Sequence, residues 1–148
     1  MKPLKTLTLV IIVTLGLGFT SIASSQVMSF KCHTSSGIVA KFKSEKVAME
    51  TNSGLGAPNE IIFDQIDIAA GTGRMIGEFA TDVTVINGNR SIHLVEKTKS
   101  GNMAITTIFL ILDSKLNLEK YPFVHSRHMS IMGMPIPSQY YGYCTRLD

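Results

Sequence analysis

The segment VHSRH, residues 124–128, holds the residues of this sequence that are best able to do chemistry. A serine beside a histidine could be a nucleophile with its base, and two histidines could begin a metal site. If the segment is a strand, its side chains alternate, so His125 and Arg127 share one face while Ser126 and His128 share the other. The serine then cannot meet its neighbouring histidine. We therefore predict a structural strand here and no catalytic set.

A copper site is the alternative interpretation of the same region. Three methionines follow the histidines, and Gly133 between them would let the chain bend. Imidazole and thioether are ligands that soft Cu(I) selects, although methionine is also an ordinary core residue. The candidate Cu(I) ligands are His125, His128, Met129, Met132 and Met134.

The segment SQYYGYC, residues 138–144, places three tyrosines within four positions. On a strand, Tyr141 and Tyr143 share one face, while Tyr140 and Cys144 share the other. Amphipathic rings are common in binding surfaces and also at the rims of barrels. The residues expected to contact a ligand or partner are Tyr140, Tyr141, Tyr143, His125 and Arg127.

Two cysteines, Cys32 and Cys144, lie near the two ends of the chain that would remain after export. In an exported protein such a pair predicts a disulfide. Closing a loop of about 110 residues contributes roughly 4–5 kcal/mol in the chain-entropy model. A redox-active or metal-binding pair is disfavoured, because no Cys-x-x-Cys motif is present.

The first 25 residues have the pattern of a secretory leader. Lysines precede an apolar run, Leu7–Phe19, and a stretch of small residues allows cleavage after Ala23 or after Ser25. The apolar run is shorter than the roughly 20 residues that a bilayer requires, and no other stretch could span one. We expect a periplasmic or secreted protein without a membrane span.

The charge of the chain depends partly on this leader. The full sequence has 14 Lys and Arg against 11 Asp and Glu, with a pI of about 8.9. Loss of Lys2 and Lys5 leaves a formal charge of +1 on the remaining chain. The basic pI is therefore poor evidence for nucleic-acid binding, and no nucleic-acid partner is expected.

Residues 26–148 form short runs rich in β-branched and aromatic residues, separated by Gly, Asn, Pro and Ser. Asn59–Ala70 fits either a helix or a strand, and its isoleucines favour a strand. The segment NGNR, residues 87–90, predicts a hairpin because Asn-Gly accepts positive φ. The other predicted strands are Met28–His33, Ile38–Phe42, Val47–Met49, Asp82–Ile86, Ser91–Lys97, Met103–Leu112, Phe123–Met132 and Gln139–Arg146.

This pattern predicts a single all-β domain, an antiparallel barrel or sandwich of about 8–10 short strands. A disulfide between the first and last strands favours the barrel, because closure makes those strands neighbours. No helix long enough for a parallel crossover is evident.

The segments VHSRH and SQYYGYC resemble those of small exported bacterial proteins of unknown function, which share an early cysteine and a closing aromatic-Gly-x-Cys. The resemblance covers most of the mature chain and implies no activity. The segment FKC, residues 30–32, is loosely similar to the periplasmic c-type lysozyme inhibitors, which are small barrels. Those families enter the lysozyme cleft with a Ser-Gly-x-x-Tyr loop. No such motif occurs in this sequence, so inhibition is not implied.

The function expected from these features is a non-catalytic binding module without a cofactor. Its ligand would be a small apolar molecule or a protein partner. Periplasmic Cu(I) binding through residues 125–134 is the alternative.

Overall fold

The computed structural model describes residues 27–43, 45–51, 59–77, 80–111 and 119–147, so the predicted leader lies outside the described residues. In those ranges there is no helix with the length and hydropathy of a membrane span. The strands are β1 (Met28–Lys43), β2 (Lys46–Thr51), β3 (Glu60–Asp67), β4 (Thr72–Ile76), β5 (Thr81–Gly88), β6 (Ser91–Lys97), β7 (Met103–Phe109), β8 (Lys120–His128), β9 (Ser130–Ile131), β10 (Met134–Pro135) and β11 (Ser138–Leu147).

Eight strands close an antiparallel barrel in the order β1-β3-β4-β5-β6-β7-β8-β11, and β11 returns to pair with β1. The strand β2 pairs with the second half of β1, and β9 and β10 form a separate two-stranded sheet. The predicted all-β barrel is confirmed. The ambiguous segment Asn59–Ala70 contains strand β3, as its isoleucines indicated.

The predicted disulfide closes this barrel. Cys32 on β1 lies directly opposite Cys144 on β11, with their Cα atoms 3.8 Å apart and a sulfur–sulfur distance of 2.00 Å. Both residues are fully buried. The bond therefore joins the first strand of the barrel to the last.

The prediction of two short strands at the start of the domain is wrong, because β1 is one strand of 16 residues. One edge of β1 pairs with β3 and β2, and the other edge pairs with β11. The register with β11 is irregular between Thr34 and Ser36, so the Ser-rich segment remains part of the strand. This pairing overrides the local preference of those residues for a turn. Gly37 serves a packing purpose, since a Cβ there would overlap the ring of Tyr140.

The hairpin between β5 and β6 is confirmed, but its turn lies two residues later than Asn-Gly predicts. Gly88 pairs with Ser91 inside the ladder, and the turn is formed by Asn89 and Arg90, with φ of 57° at Arg90. A side chain at Gly88 would collide with Ser91 and the imidazole of His93. The glycine thus permits close packing of Ser91 and His93 here, and it is not at positive φ.

The predicted strand Phe123–Met132 is too long. Strand β8 ends at His128, and the backbone N–H of Ile136 donates to the carbonyl of Met129 at 2.8 Å. The chain between them reverses through Met132 and Gly133, both at positive φ, to form the β9–β10 hairpin. The predicted alternation holds within β8, where His125 is buried and His128 exposed.

Inward-facing residues of the four neighbouring strands β6, β7, β8 and β11 lie in three layers, each made of residues that pair across the strands. The apolar layer consists of Ile92, Ile108, Phe123 and Gly142; the histidine layer consists of Leu94, Thr106, His125 and Tyr140; the polar layer consists of Glu96, Ala104, Arg127 and Ser138. The barrel is therefore filled by hydrocarbon toward one end and by polar side chains toward the other.

Candidate functional site

The histidine layer is held together by specific contacts. A hydrogen bond of 2.7 Å joins the Thr106 hydroxyl to Nδ1 of His125. The imidazole stacks against the ring of Tyr140, with centroids 6.2 Å apart and 29° between the planes. Because Gly37 leaves room for that ring, Tyr140 reaches the barrel interior and fixes one side of the histidine.

Arg127 lies in the next layer, above this pair. Its guanidinium carbon is 6.0 Å from the centre of the Tyr140 ring, a separation at which a cation is attracted to the face of an aromatic ring. Alternation along β8 places Arg127 on the same face as His125, as the sequence predicted. Strand β8 thus contributes both the imidazole of His125 and the guanidinium of Arg127 to one region of the interior.

The environment of His125 keeps its imidazole neutral at neutral pH. Burial and, to a smaller extent, the positive charge of Arg127 together lower the pKa of His125 to about 4. Only 5% of the residue is exposed.

Glu96 is a member of this site that sequence reasoning missed. It is almost fully buried, and burial raises the pKa of its carboxyl, although a hydrogen bond from Thr81 and the charge of Arg127 oppose that rise. A signal existed in the segment Ser91–Lys97, where alternation puts Glu96 on the same face as Ile92 and Leu94. A carboxylate that continues an apolar face of a strand is an indication of a buried polar site.

A cavity of about 700 Å³ lies at this end of the barrel. The acidic and basic residues of the polar layer line it together with His125, and apolar side chains complete the wall. Its lining residues are Glu60, Ile61, Met75, Ile76, Gly77, Glu96, Thr98, Ser100, Asn102, Met103, Ala104, His125, Arg127 and Met129.

The structure brings together only part of the predicted contact set. Tyr140, His125 and Arg127 lie side by side in the interior. Tyr141 and Tyr143 point outward from β11 and are exposed by 37% and 43%. The alternation predicted for SQYYGYC is therefore correct, and it divides the tyrosines between the interior and the outer surface.

The predicted Cu(I) ligands are also divided. His125 and Met129 line the cavity, whereas His128 lies on the outer face of β8. Met132 is 95% exposed at the tip of the β9–β10 hairpin, and Met134 is exposed on β10. Among the residues that the structure describes, no group of three or more His, Cys, Asp or Glu side chains is placed to hold a metal ion.

The serine of VHSRH lies apart from the interior histidine. Ser126 accepts a 3.0 Å hydrogen bond from the side-chain amide of Gln139 on the outer face of the barrel. Since His125 points inward, the two side chains cannot act as nucleophile and base.

No protein-family model, curated protein or solved structure matches this chain.

Proposed function

We propose that this protein is a non-catalytic binding module whose barrel cavity holds a small amphipathic molecule with an anionic head group. The observation that carries the proposal is the position of Arg127, a permanently charged side chain in the lining of a cavity of about 700 Å³. Ligand cavities are commonly about 300–1,000 Å³ and combine apolar walls with a few polar groups.

The polar layer supports recognition of a carboxylate or a similar group. A guanidinium has five N–H donors in a planar fork that matches a carboxylate, so Arg127 can serve a ligand in addition to its neighbours in the protein. His125, held neutral, offers a hydrogen bond without adding charge. Glu96 lies in the same layer, and its carboxyl is influenced by the charge of Arg127.

The rest of the cavity favours a flexible apolar tail. Met75 and Met129 line the wall together with Ile61 and Ile76. Methionine is unbranched and polarizable, so it adapts to ligands of different shape. A short acyl or aromatic carboxylate fits this combination of a charged layer and an adaptable wall.

The predicted leader and the disulfide support a location in the periplasm or outside the cell, since disulfides persist in oxidising compartments. In that setting a small barrel would sequester or carry its ligand.

We expect octanoate to bind the purified protein at one site, with octanol as the uncharged probe of similar size. Arg127→Gln should weaken octanoate binding by about 10–100-fold, because hydrogen bonds to charged groups contribute about 1.5–3 kcal/mol, and should leave octanol binding unchanged. Arg146→Gln, near the end of β11 away from the cavity, is the matched control. Calorimetry that finds no octanoate binding, or an equal loss for both probes in Arg127→Gln, would rule out the proposed head-group contact.

Cu(I) binding is the second candidate, favoured by one observation. Met75, Met103 and Met129 line the same cavity as the neutral His125. Anaerobic Cu(I) titration separates it from the first proposal, with His128→Gln on the outer face as control. We expect no stoichiometric binding. One equivalent of tightly bound Cu(I) that is lost in His125→Gln and kept in His128→Gln would make copper the ligand.

A further inference from the structure

The strand β2 is the terminal strand of the nine-stranded sheet and pairs with the second half of β1. All six of its residues are exposed. An edge strand presents a row of backbone N–H and C=O groups to any other strand that can match its side chains. Its two faces therefore decide which strand could be added there.

The ribbon formed by β1 and β2 has one apolar and one charged face. On the apolar face, Phe42 lies opposite Val47, and Met49 lies beside them; each of the three is more than half exposed. On the charged face, Lys41 forms an ion pair with Glu50, and Lys46 lies near the tip. A partner strand must offer apolar groups on one face and complementary charges on the other.

We propose that β2 pairs with the β2 strand of a second copy of this chain, antiparallel and centred on Ala48. In that register Ala48 lies opposite the partner's Ala48, and Val47 lies opposite the partner's Met49. Lys46 lies opposite the partner's Glu50, and the two-fold axis repeats this ion pair on the other side. The strand KVAMET is thus complementary to itself in both hydrophobicity and charge.

Neighbouring registers lose this match. A shift of one residue would place the apolar face of one strand beside the charged face of the other. A two-fold axis at Met49 would place Glu50 opposite the partner's Ala48. A two-fold axis at Val47 would place Lys46 opposite the partner's Ala48. Only the Ala48 register pairs both charges, so it specifies a closed dimer with a single isologous interface.

The ion pair between Lys41 and Glu50 within one chain is compatible with this interface. The Lys41 ammonium contacts Oε2 of Glu50. A carboxylate accepts several hydrogen bonds through its two oxygens, so the partner's Lys46 can approach the same group. Pairing would also place Val47 beside the partner's Met49 and reduce the exposure of both apolar side chains.

Cysteine cross-linking tests the register directly. Ala48→Cys places two thiols opposite each other at the two-fold axis, and mild oxidation should convert most of the variant to a disulfide-linked dimer. Thr84→Cys is the matched control, since it is an exposed residue on a strand in the middle of the sheet. Peptide mapping must show the new bond between two copies of residue 48. An Ala48→Cys variant that yields no more dimer than Thr84→Cys would refute the proposed register.

A charge exchange tests the interface without cysteines. Lys46→Glu and Glu50→Lys should each raise the dimer dissociation constant at least tenfold in sedimentation equilibrium, because each places like charges opposite each other. The double variant restores opposite charges and should recover the dimer. All three should keep the circular-dichroism spectrum of the wild-type fold, since these side chains are exposed. A monomeric wild type at all accessible concentrations, or a double variant as weak as the single ones, would overturn the proposal.

Discussion

Reduction of the Cys32–Cys144 bond is expected to lower the free energy of unfolding by about 4–5 kcal/mol, the largest effect of any single change proposed for this protein. The cysteines are 112 residues apart in sequence, so the bond restricts nearly the whole unfolded chain. Domains of this size have about 5–15 kcal/mol of stability in total. Reduction should thus remove at least about a quarter of the total stability.

Urea denaturation with and without dithiothreitol measures this effect. The midpoint should fall strongly in the reduced protein, and the slope should rise because the reduced unfolded chain exposes more surface. The Cys32→Ala, Cys144→Ala variant should be insensitive to the reductant. A reduced protein within 1 kcal/mol of the oxidised one would mean that the strand pairing of β1 with β11 closes the barrel without covalent help.

Acidification from pH 6.5 to pH 4 should cost about 3 kcal/mol of stability through His125 alone. Its pKa is lowered to about 4 in the folded protein, whereas the unfolded chain has an ordinary value near 6.5. Between these values the unfolded state binds a proton that the folded state does not, so stability falls as the pH falls. The contribution of His125 to the free energy of unfolding therefore has its full value above pH 6.5. The size of the loss follows from the difference between the two pKa values, at about 1.4 kcal/mol per pKa unit.

Glu96 acts in the opposite direction in part of this range. Its pKa is raised in the folded protein, so the folded state protonates first and gains stability as the pH falls toward 4.5. Asp64, whose pKa is lowered chiefly by its hydrogen bond to Arg74, loses its contribution only at lower pH, through its folded pKa. Among the residues that the structure describes, His125 and Glu96 therefore govern the window from pH 6.5 to 4.

Variants separate the two groups in urea denaturation at a series of pH values. His125→Gln should flatten the loss of stability between pH 6.5 and 4, while Glu96→Gln should steepen it. His128→Gln, which changes an exposed histidine on the same strand, should leave the profile unchanged. If His125→Gln and wild type lose the same stability over this range, His125 is accessible to protons in the folded state.

Several features could be predicted from the sequence because they depend on local alternation and on the ends of the chain. Period-two patterning placed His125 with Arg127 on one face of a strand and Tyr140 with Cys144 on one face of another. The structure then showed that His125 and Tyr140 face the interior. The disulfide was predicted from two cysteines near opposite ends of the part of the chain that would remain after the predicted leader is removed. The disulfide favoured a barrel over a sandwich, because closure makes the first and last strands neighbours.

Other features depend on pairing between distant strands, which no local pattern contains. The continuity of β1 depends on its ladder with β11, and the late turn before β6 accompanies the pairing of Gly88 with Ser91. Alternation could have placed Glu96 on the inner face of β6. Only the register across β6, β7 and β8 brings it into one layer with Arg127.

Methionine methyl resonances provide the most direct test that the cavity is the binding site. Titration of octanoate into protein labelled with ¹³C at the methionine methyl groups should shift the signals of Met75 and Met129, which line the cavity. The signals of Met49 and Met132, which are exposed on the β1–β2 ribbon and at the β9–β10 tip, should not move. Saturable shifts confined to Met49 and Met132, with Met75 and Met129 unchanged, would contradict a ligand site inside the barrel.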